Sequence, residues 1–287
     1  MKYVPKEIPE QENVNVTPIP PLVNFAYLLA TVVIVSLLFY LGLGWTANLL
    51  VAKISPETEV KIGQQLVPED AFKDEEIDPN QQAYLEKLLL NLQKFQTQGE
   101  KANTPPLDIY LIDSEQPNAG ILPGGHIIVT NALLNVAESE NELAFVIAHE
   151  LGHFHARDPL KALGRSLVFL FIQAILGVGN HMPADASGTV ILTRQLQELH
   201  YTRQQELSAD VYALELIINY YGHGGDSLEF FETVKVKDQR SKLREYFSTH
   251  PLTQDRINHL QKLAQEKQWL MEGKVTPLPN FSSTKEN

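Results

Sequence analysis

The sequence predicts an α+β fold, mostly helical, with a small β-sheet and one N-terminal transmembrane helix. Three observations carry this: a charge-free apolar run near the N-terminus, two short β-rich runs between residues 107 and 130, and helical patterning from about Ala132 to Glu266. A chain of 287 residues holds one sizeable domain and an appendage. With 44% hydrophobic and 20% charged residues, a core can form, which argues against global disorder. The 23 Lys+Arg are outnumbered by 35 Asp+Glu, giving a net charge of −12. That balance argues against nucleic acid as a partner, because gripping phosphates takes a cation surplus. The absence of Cys excludes a disulfide scaffold, a cysteine nucleophile, an iron–sulfur cluster and a Cys-type zinc finger.

Residues 1–21 read as an extended, Pro-rich tail (Pro5, Pro9, Pro18, Pro20, Pro21). No formal charge occurs between Glu12 and Lys53, and residues 22–46 are almost wholly apolar. About 20 such residues in a helix cross a ~30 Å hydrocarbon layer. Tyr27, Tyr40 and Trp45 fall near the ends, where amphipathic rings favour the interface. A buried core helix of this length would rarely lack a polar face. A cleaved signal peptide would have a short basic start, and here a longer tail carries Glu7, Glu10 and Glu12. An uncleaved single-pass anchor in a lipid bilayer is therefore expected. Lys2 and Lys6 on one flank balance Lys53 and Lys61 on the other, so orientation is undetermined, with an extracytoplasmic placement as the working assignment.

A soluble domain is expected over 55–274. Leu85, Leu88, Leu89, Leu92 and Phe95 recur at helical spacing and predict an amphipathic helix over about 81–96. Residues 107–112 and 126–130 read as strands, with a turn at Pro123-Gly124-Gly125 between them. The charge-free stretch Ser166–Ala184 reads as a helix buried in the core or, alternatively, one that rests on the bilayer. Residues 275–287, with Pro277, Pro279, Ser282 and Ser283, read as a loose tail.

Chemistry concentrates in His149-Glu150-Leu151-Gly152-His153, inside a helical run through Arg157 that Ser139 and Glu142 start as a capping box. His149 and His153, at i and i+4, project from one face, so two imidazoles can bind one Zn²⁺ at about 2.0–2.1 Å. Glu150 is rotated off that axis and reaches a water at the metal rather than the metal, the place for a general base. The surrounding helix is strongly apolar (Leu143, Phe145, Val146, Ile147, Leu151), where unpaired polar groups are costly and a metal removes the cost. Mid-helix Gly152 allows a close approach of backbone or substrate. A catalytic zinc takes three protein ligands. Glu206 and Asp210, again i and i+4 in a helical run from Gln195 to Asn219, suggest the third ligand and an acceptor for the free N–H of a ligand histidine, most simply His149. His250, before Pro251 and followed by Arg256, could hydrogen-bond an oxyanion, or else merely start a helix. His155 points away from the ligand face. His126, His181, His200, His223 and His259 show no convergent partners.

Taken together, Asn118-Ala119, Leu122 to Thr130, His149 to Asp158, Glu206 to Asp210 and His250-Pro251 with Arg256 resemble the HtpX-type family of membrane-associated zinc metallopeptidases, from about Ser55 to Leu263 and in the family's order. The resemblance implies a zincin-like metallopeptidase domain with one Zn²⁺ per chain. It implies His149, His153 and Glu206 as ligands, Glu150 as base, and Asp210 and Arg256 in support. It also implies that Gly125 to Thr130, with Asn118 nearby and Gly125, His126, Ile127 and Ile128 foremost, edges the cleft and pairs with substrate backbone. HtpX-type proteins have several spans and this chain shows one clear span, so their tripeptide or prenylated-Cys specificities do not transfer. The expected substrate is a polypeptide, unfolded or membrane-embedded. The expected activity is a membrane-anchored metalloendopeptidase in membrane or envelope quality control. The alternatives are a zinc-holding, chaperone-like scaffold and a tethered protein with no metal. Oligomeric state is left open.

Overall fold

A computed structural model describes residues 20–67, 77–97, 106–166, 201–228, 244–251 and 253–281. The chain divides into two compact units, residues 1–46 and 47–287. Helix α1 (Pro21–Val51) contains Pro21–Phe39, the one described helix long and apolar enough to cross a membrane. Its Leu22, Phe25, Leu28, Val32 and Leu38 are all exposed, a continuous apolar surface that water does not tolerate and lipid does.

Most of the following helices start on a capping side chain. Ser55 caps α2 (Pro56–Leu66) and Asp78 caps α3 (Pro79–Lys94), each with Pro at the first helical position. α3 buries Leu85, Leu88, Leu89 and Leu92 of the face that its spacing predicted, whereas Phe95, at the C-cap, is exposed. The sheet comprises β1 (Asp108–Ile112), β2 (Ala119–Leu122) and β3 (His126–Thr130) in the order β1-β3-β2. β1 runs parallel to β3 and β2 antiparallel to it. Gly124 and Gly125 make the β2–β3 turn at φ 91° and 93°, a region that L side chains avoid.

This topology corrects one expectation. β3 is hydrogen-bonded on both sides, so Gly125, His126, Ile127 and Ile128 do not offer an edge to substrate. All five β3 residues are buried, which is what a near-continuous apolar run means in a central strand. Among the described residues the strand next to the turn that is paired on one side only is β2, which is too short and Gly-containing to announce itself as a strand.

Thr130 caps α4 (Asn131–Val136), and Ser139 caps α5 (Glu140–His155) by accepting from Glu142 N at 3.1 Å. The Glu142 side chain returns not to Ser139 but to Glu138 N, at 2.7 Å. α5 is buried from Asn141 through Phe154 and is the axis of the domain. A further helical stretch covers 158–166; the apolar residues after Ser166 lie outside the described residues, as does the start of the expected 195–219 helix. α6 (Arg203–Tyr221) opens on a complete Thr202–Gln205 capping box and closes on left-handed Gly222. Helices α7 (Arg244–Thr249) and α8 (Gln254–Lys267) complete the body.

Residues 268–281 form a strap without regular structure. Read as loose beyond Lys274, they are tied down as far as Phe281: Glu140 N donates to Thr276 O at 2.9 Å, Thr276 N donates to Asn141 Oδ1 at 2.9 Å, and Phe281 meets Tyr84 edge to face. Trp269, Met271 and Leu278 also pack against the main core. Apolar anchors on both sides of and between the prolines, together with the open backbone groups at the start of α5, account for the docking.

Candidate metal centre

Two helices cross where α5 lacks a side chain. A Cβ on Gly152 would stand 2.8 Å from Ala209 Cα and 3.0 Å from Ala209 O, so α5 and α6 approach at backbone distance. The crossing brings His149 and His153 of α5 opposite Glu206 and Asp210 of α6. His250, just after α7, closes the cluster from a third side.

One donor atom from each of His149, His153, Glu206 and His250 lies within 4.8 Å of all the others, and all four residues are buried. His149 Nε2 is 3.0 Å from His153 Nε2 and 3.3 Å from His250 Nδ1. Glu206 Oε1 is 3.4 Å from His153 Nε2 and 3.2 Å from His250 Nδ1. Donors at about 2.05 Å from a common tetrahedral centre stand about 3.3 Å apart. The spacing therefore fits a single tetrahedral cation. Glu150 lies beside the cluster, fully buried; His250 Nε2 is 3.4 Å from its Oε1, yet among the described residues neither carboxylate oxygen has a hydrogen-bond partner. Glu206 and Asp210 share the buried Arg256 guanidinium and Asp158 pairs with Lys161 at 3.1 Å, whereas the buried Glu150 carboxylate has no cationic Lys or Arg partner among the described residues, a negative charge that a dication would offset.

The outer groups are equally ordered. Asp210 Oδ1 is 3.0 Å from His149 Nδ1, off the line of a strict hydrogen bond. Arg256 donates to both Asp210 oxygens, at 2.6 and 2.7 Å, to the Pro251 carbonyl at 2.9 Å, and pairs with Glu206 Oε2 at 2.8 Å. Burial opposes a charged His149, but Asp210 and Glu206 outweigh it and raise its pKa to about 9. Burial also works against the Glu206 carboxylate; hydrogen bonds with His149, His153 and His250 reverse this and hold it far below the usual range. Asp210 behaves likewise, held low by His149 and Arg256 against its burial.

Three neighbours were not anticipated. Asp158, fully buried, places Oδ2 3.2 Å from His153 Nδ1, the counterpart of Asp210 on His149. The left-handed turn at Arg157 brings it to His153, so helical spacing gave no signal for it. Tyr201 stacks on His153 at 3.9 Å and Tyr246 on His250 at 4.8 Å, with no motif to mark either. His155, as its angular position suggests, turns away and stacks on Tyr212. His223 caps a turn by accepting from Gly225 N, and His259 is exposed. His181 and His200 lie outside the described residues.

Asn118 does not reach the cluster but organises the β2 edge. Thr130 N donates to Asn118 O at 3.0 Å, which turns Asn118, Gly120 and Leu122 toward β3 and leaves the backbone of Ala119 and Ile121 facing away. The Asn118 side chain accepts from Ala119 N at 2.9 Å. Among the described residues β2 pairs only with β3.

Comparison with known proteins agrees with this architecture. Peptidase family M48 matches residues 79–264. Metalloendopeptidase OMA1, mitochondrial, of Danio rerio is 28% identical over 211 residues, covering 69% of this chain and 44% of that protein. The beta-barrel assembly-enhancing protease of Escherichia coli is 27% identical over 163 residues, covering 53% of this chain and 33% of its own length. A protease HtpX homolog of Campylobacter concisus is 29% identical over 207 residues, covering 58% of this chain and 72% of its own. The chain thus spans less than half the length of the first two. A match across most of the domain, joined to the His149–His153–Glu206 arrangement, places the chain in peptidase family M48.

Proposed function

We propose that the protein is a membrane-anchored zinc metalloendopeptidase in which His149, His153 and Glu206 hold one Zn²⁺ and Glu150 is the general base. The observation that carries this reading is the buried Glu150 carboxylate, without a hydrogen-bond partner among the described residues, beside donor atoms at tetrahedral spacing. Zinc, when bound, supplies a Lewis acid that polarises a carbonyl and makes water nucleophilic near neutral pH. Glu150 takes the proton of the attacking water and passes it to the leaving amine. Asp210 and Asp158 fix the ring orientation of His149 and His153, and Arg256 keeps Asp210 and Glu206 ionised in a buried setting. His250 supplies an N–H to the developing oxyanion, for which it yields the fourth donor position. An extended substrate pairs with the outer side of β2 through the Ala119 carbonyl and the Ile121 backbone, with Asn118, which holds the Ala119 N–H, at one end of that strand. The names of the relatives support a polypeptide substrate in a membrane or envelope setting.

Glu150→Gln tests the base: zinc per chain should stay at one while chelator-sensitive cleavage of casein disappears, and a variant that cleaves like the parent refutes the assignment. His149→Ala should instead lose the metal. Substrate peptides N-methylated at alternate backbone positions should show a raised KM if β2 is the docking edge.

A second reading is favoured by one feature. With His250 Nδ1 in place the donor set is closed at four, the pattern of a structural zinc and hence of a zinc-holding scaffold. Zinc in the purified full chain without chelator-sensitive proteolysis would favour the scaffold.

A further inference from the structure

Residues 51–67 precede the family match, yet they touch the domain at its two most consequential places. The first is the turn after α5. Arg157 has φ 57°, a left-handed conformation that a non-glycine residue adopts at a cost. Its guanidinium reaches across to the segment before the match: Nη1 donates to Val51 O at 3.0 Å and Ile54 O at 2.8 Å, and Nε and Nη2 donate to Glu59 Oε2 at 3.1 and 2.8 Å. Glu59 is only 3% exposed, and the guanidinium offsets the cost of that burial in part: burial still holds its pKa above the usual carboxylate value. The next residue is Asp158, whose Oδ2 faces His153 Nδ1. The second place is the β2–β3 turn. A Cβ on Gly63 of α2 would stand 2.5 Å from Pro123 O and 2.6 Å from Gly124 Cα. Around these contacts Val51, Leu66 and Val67 join Leu122, Ile128, Leu160 and Leu163 in an apolar cluster separate from the main core.

We infer that Val51–Val67 is a clamp on the metal site, with Arg157 as its positioning residue: gripped by Glu59 and the carbonyls of Val51 and Ile54, Arg157 holds the left-handed turn that presents Asp158 to His153. Without the grip, the turn relaxes and Asp158 withdraws. The inference rests on the reading of His153 as a metal ligand. It goes beyond that reading by assigning residues outside the family match to the geometry of the site.

The test uses the full chain in detergent with two measurements, zinc affinity by chelator competition and amide hydrogen exchange of the metal-free protein. Arg157→Ala should weaken zinc binding about 10–100-fold, the usual consequence of loosening a ligand's hydrogen-bond partner. Asp158→Asn should weaken it to a similar degree. The double variant Glu59→Ala/Arg157→Ala should be no worse than Arg157→Ala, since the two side chains act as one unit. In the metal-free protein Arg157→Ala should speed exchange at both 55–66 and 157–161. Glu59→Gln, which keeps shape and removes charge, provides a milder variant should Arg157→Ala fail to fold, and should shift both readouts the same way. Zinc affinity within twofold of the parent in folded variants would overturn the link to the metal, and unchanged exchange in both segments would overturn the clamp itself. A parent chain that binds no zinc would refute the metal reading instead, while exchange would still decide the clamp.

Discussion

At the scale of single residues, Gly152 shows how local spacing and tertiary contact converge. Glycine in mid-helix costs about 1 kcal/mol relative to alanine. Here the cost is offset by the approach of α6, whose Ala209 backbone occupies the space that a Cβ would need. Gly152→Ala should therefore destabilise the fold by about 1–3 kcal/mol through overpacking, read as a lower denaturation midpoint, rather than stabilise it as helix propensity alone would suggest. Asp210→Asn keeps the shape but removes a charge that Arg256 and His149 share. It should lower zinc affinity about 10–100-fold while leaving secondary structure intact by circular dichroism. The main ligand candidates were legible in the sequence because i, i+4 spacing is a local rule: it set His149 beside His153 and Glu206 one turn from Asp210. Asp158 was not legible in the same way. Its reach to His153 depends on the left-handed turn at Arg157, which nothing in the local sequence announces.

At the scale of elements, the helices were the more readable part. α3 and α5 begin on Asp78 and Ser139; α3 buries its leucine face, and the strongly apolar α5 is buried all round. The sheet was half readable. β1 and β3 are β-rich runs of five residues, whereas β2 has four, one of them glycine, and gains its structure from pairing with β3. The edge role expected for Gly125 to Thr130 came from the family resemblance, and the pairing of β2 with β3 removes it. The distinction changes where substrate backbone would be met: at Ala119 and Ile121 rather than at His126 to Ile128. A peptide cross-linker tethered in the cleft should accordingly label residues 118–122 in preference to 126–130, as mass spectrometry of the adduct would reveal.

At the scale of the whole molecule, the long apolar helix α1 and a buried polar cluster belong to different physical regimes, one suited to hydrocarbon and the other dependent on the exclusion of water. Flotation with liposomes should require residues 21–39, whereas zinc binding should not. A chain ending at Gln268 should melt at a lower temperature than the full chain, because Trp269, Met271, Leu278 and Phe281 leave the core and Glu140 and Asn141 lose their backbone partners. The composition of this strap hid its importance, since Pro and Ser suggest slack where the intervening apolar residues supply adhesion. For anyone handling the protein, the docked strap decides where an affinity handle or fluorescent reporter belongs. A fusion joined at Lys274 would prise the final stretch off the body, whereas one joined after Phe281 leaves every described attachment intact.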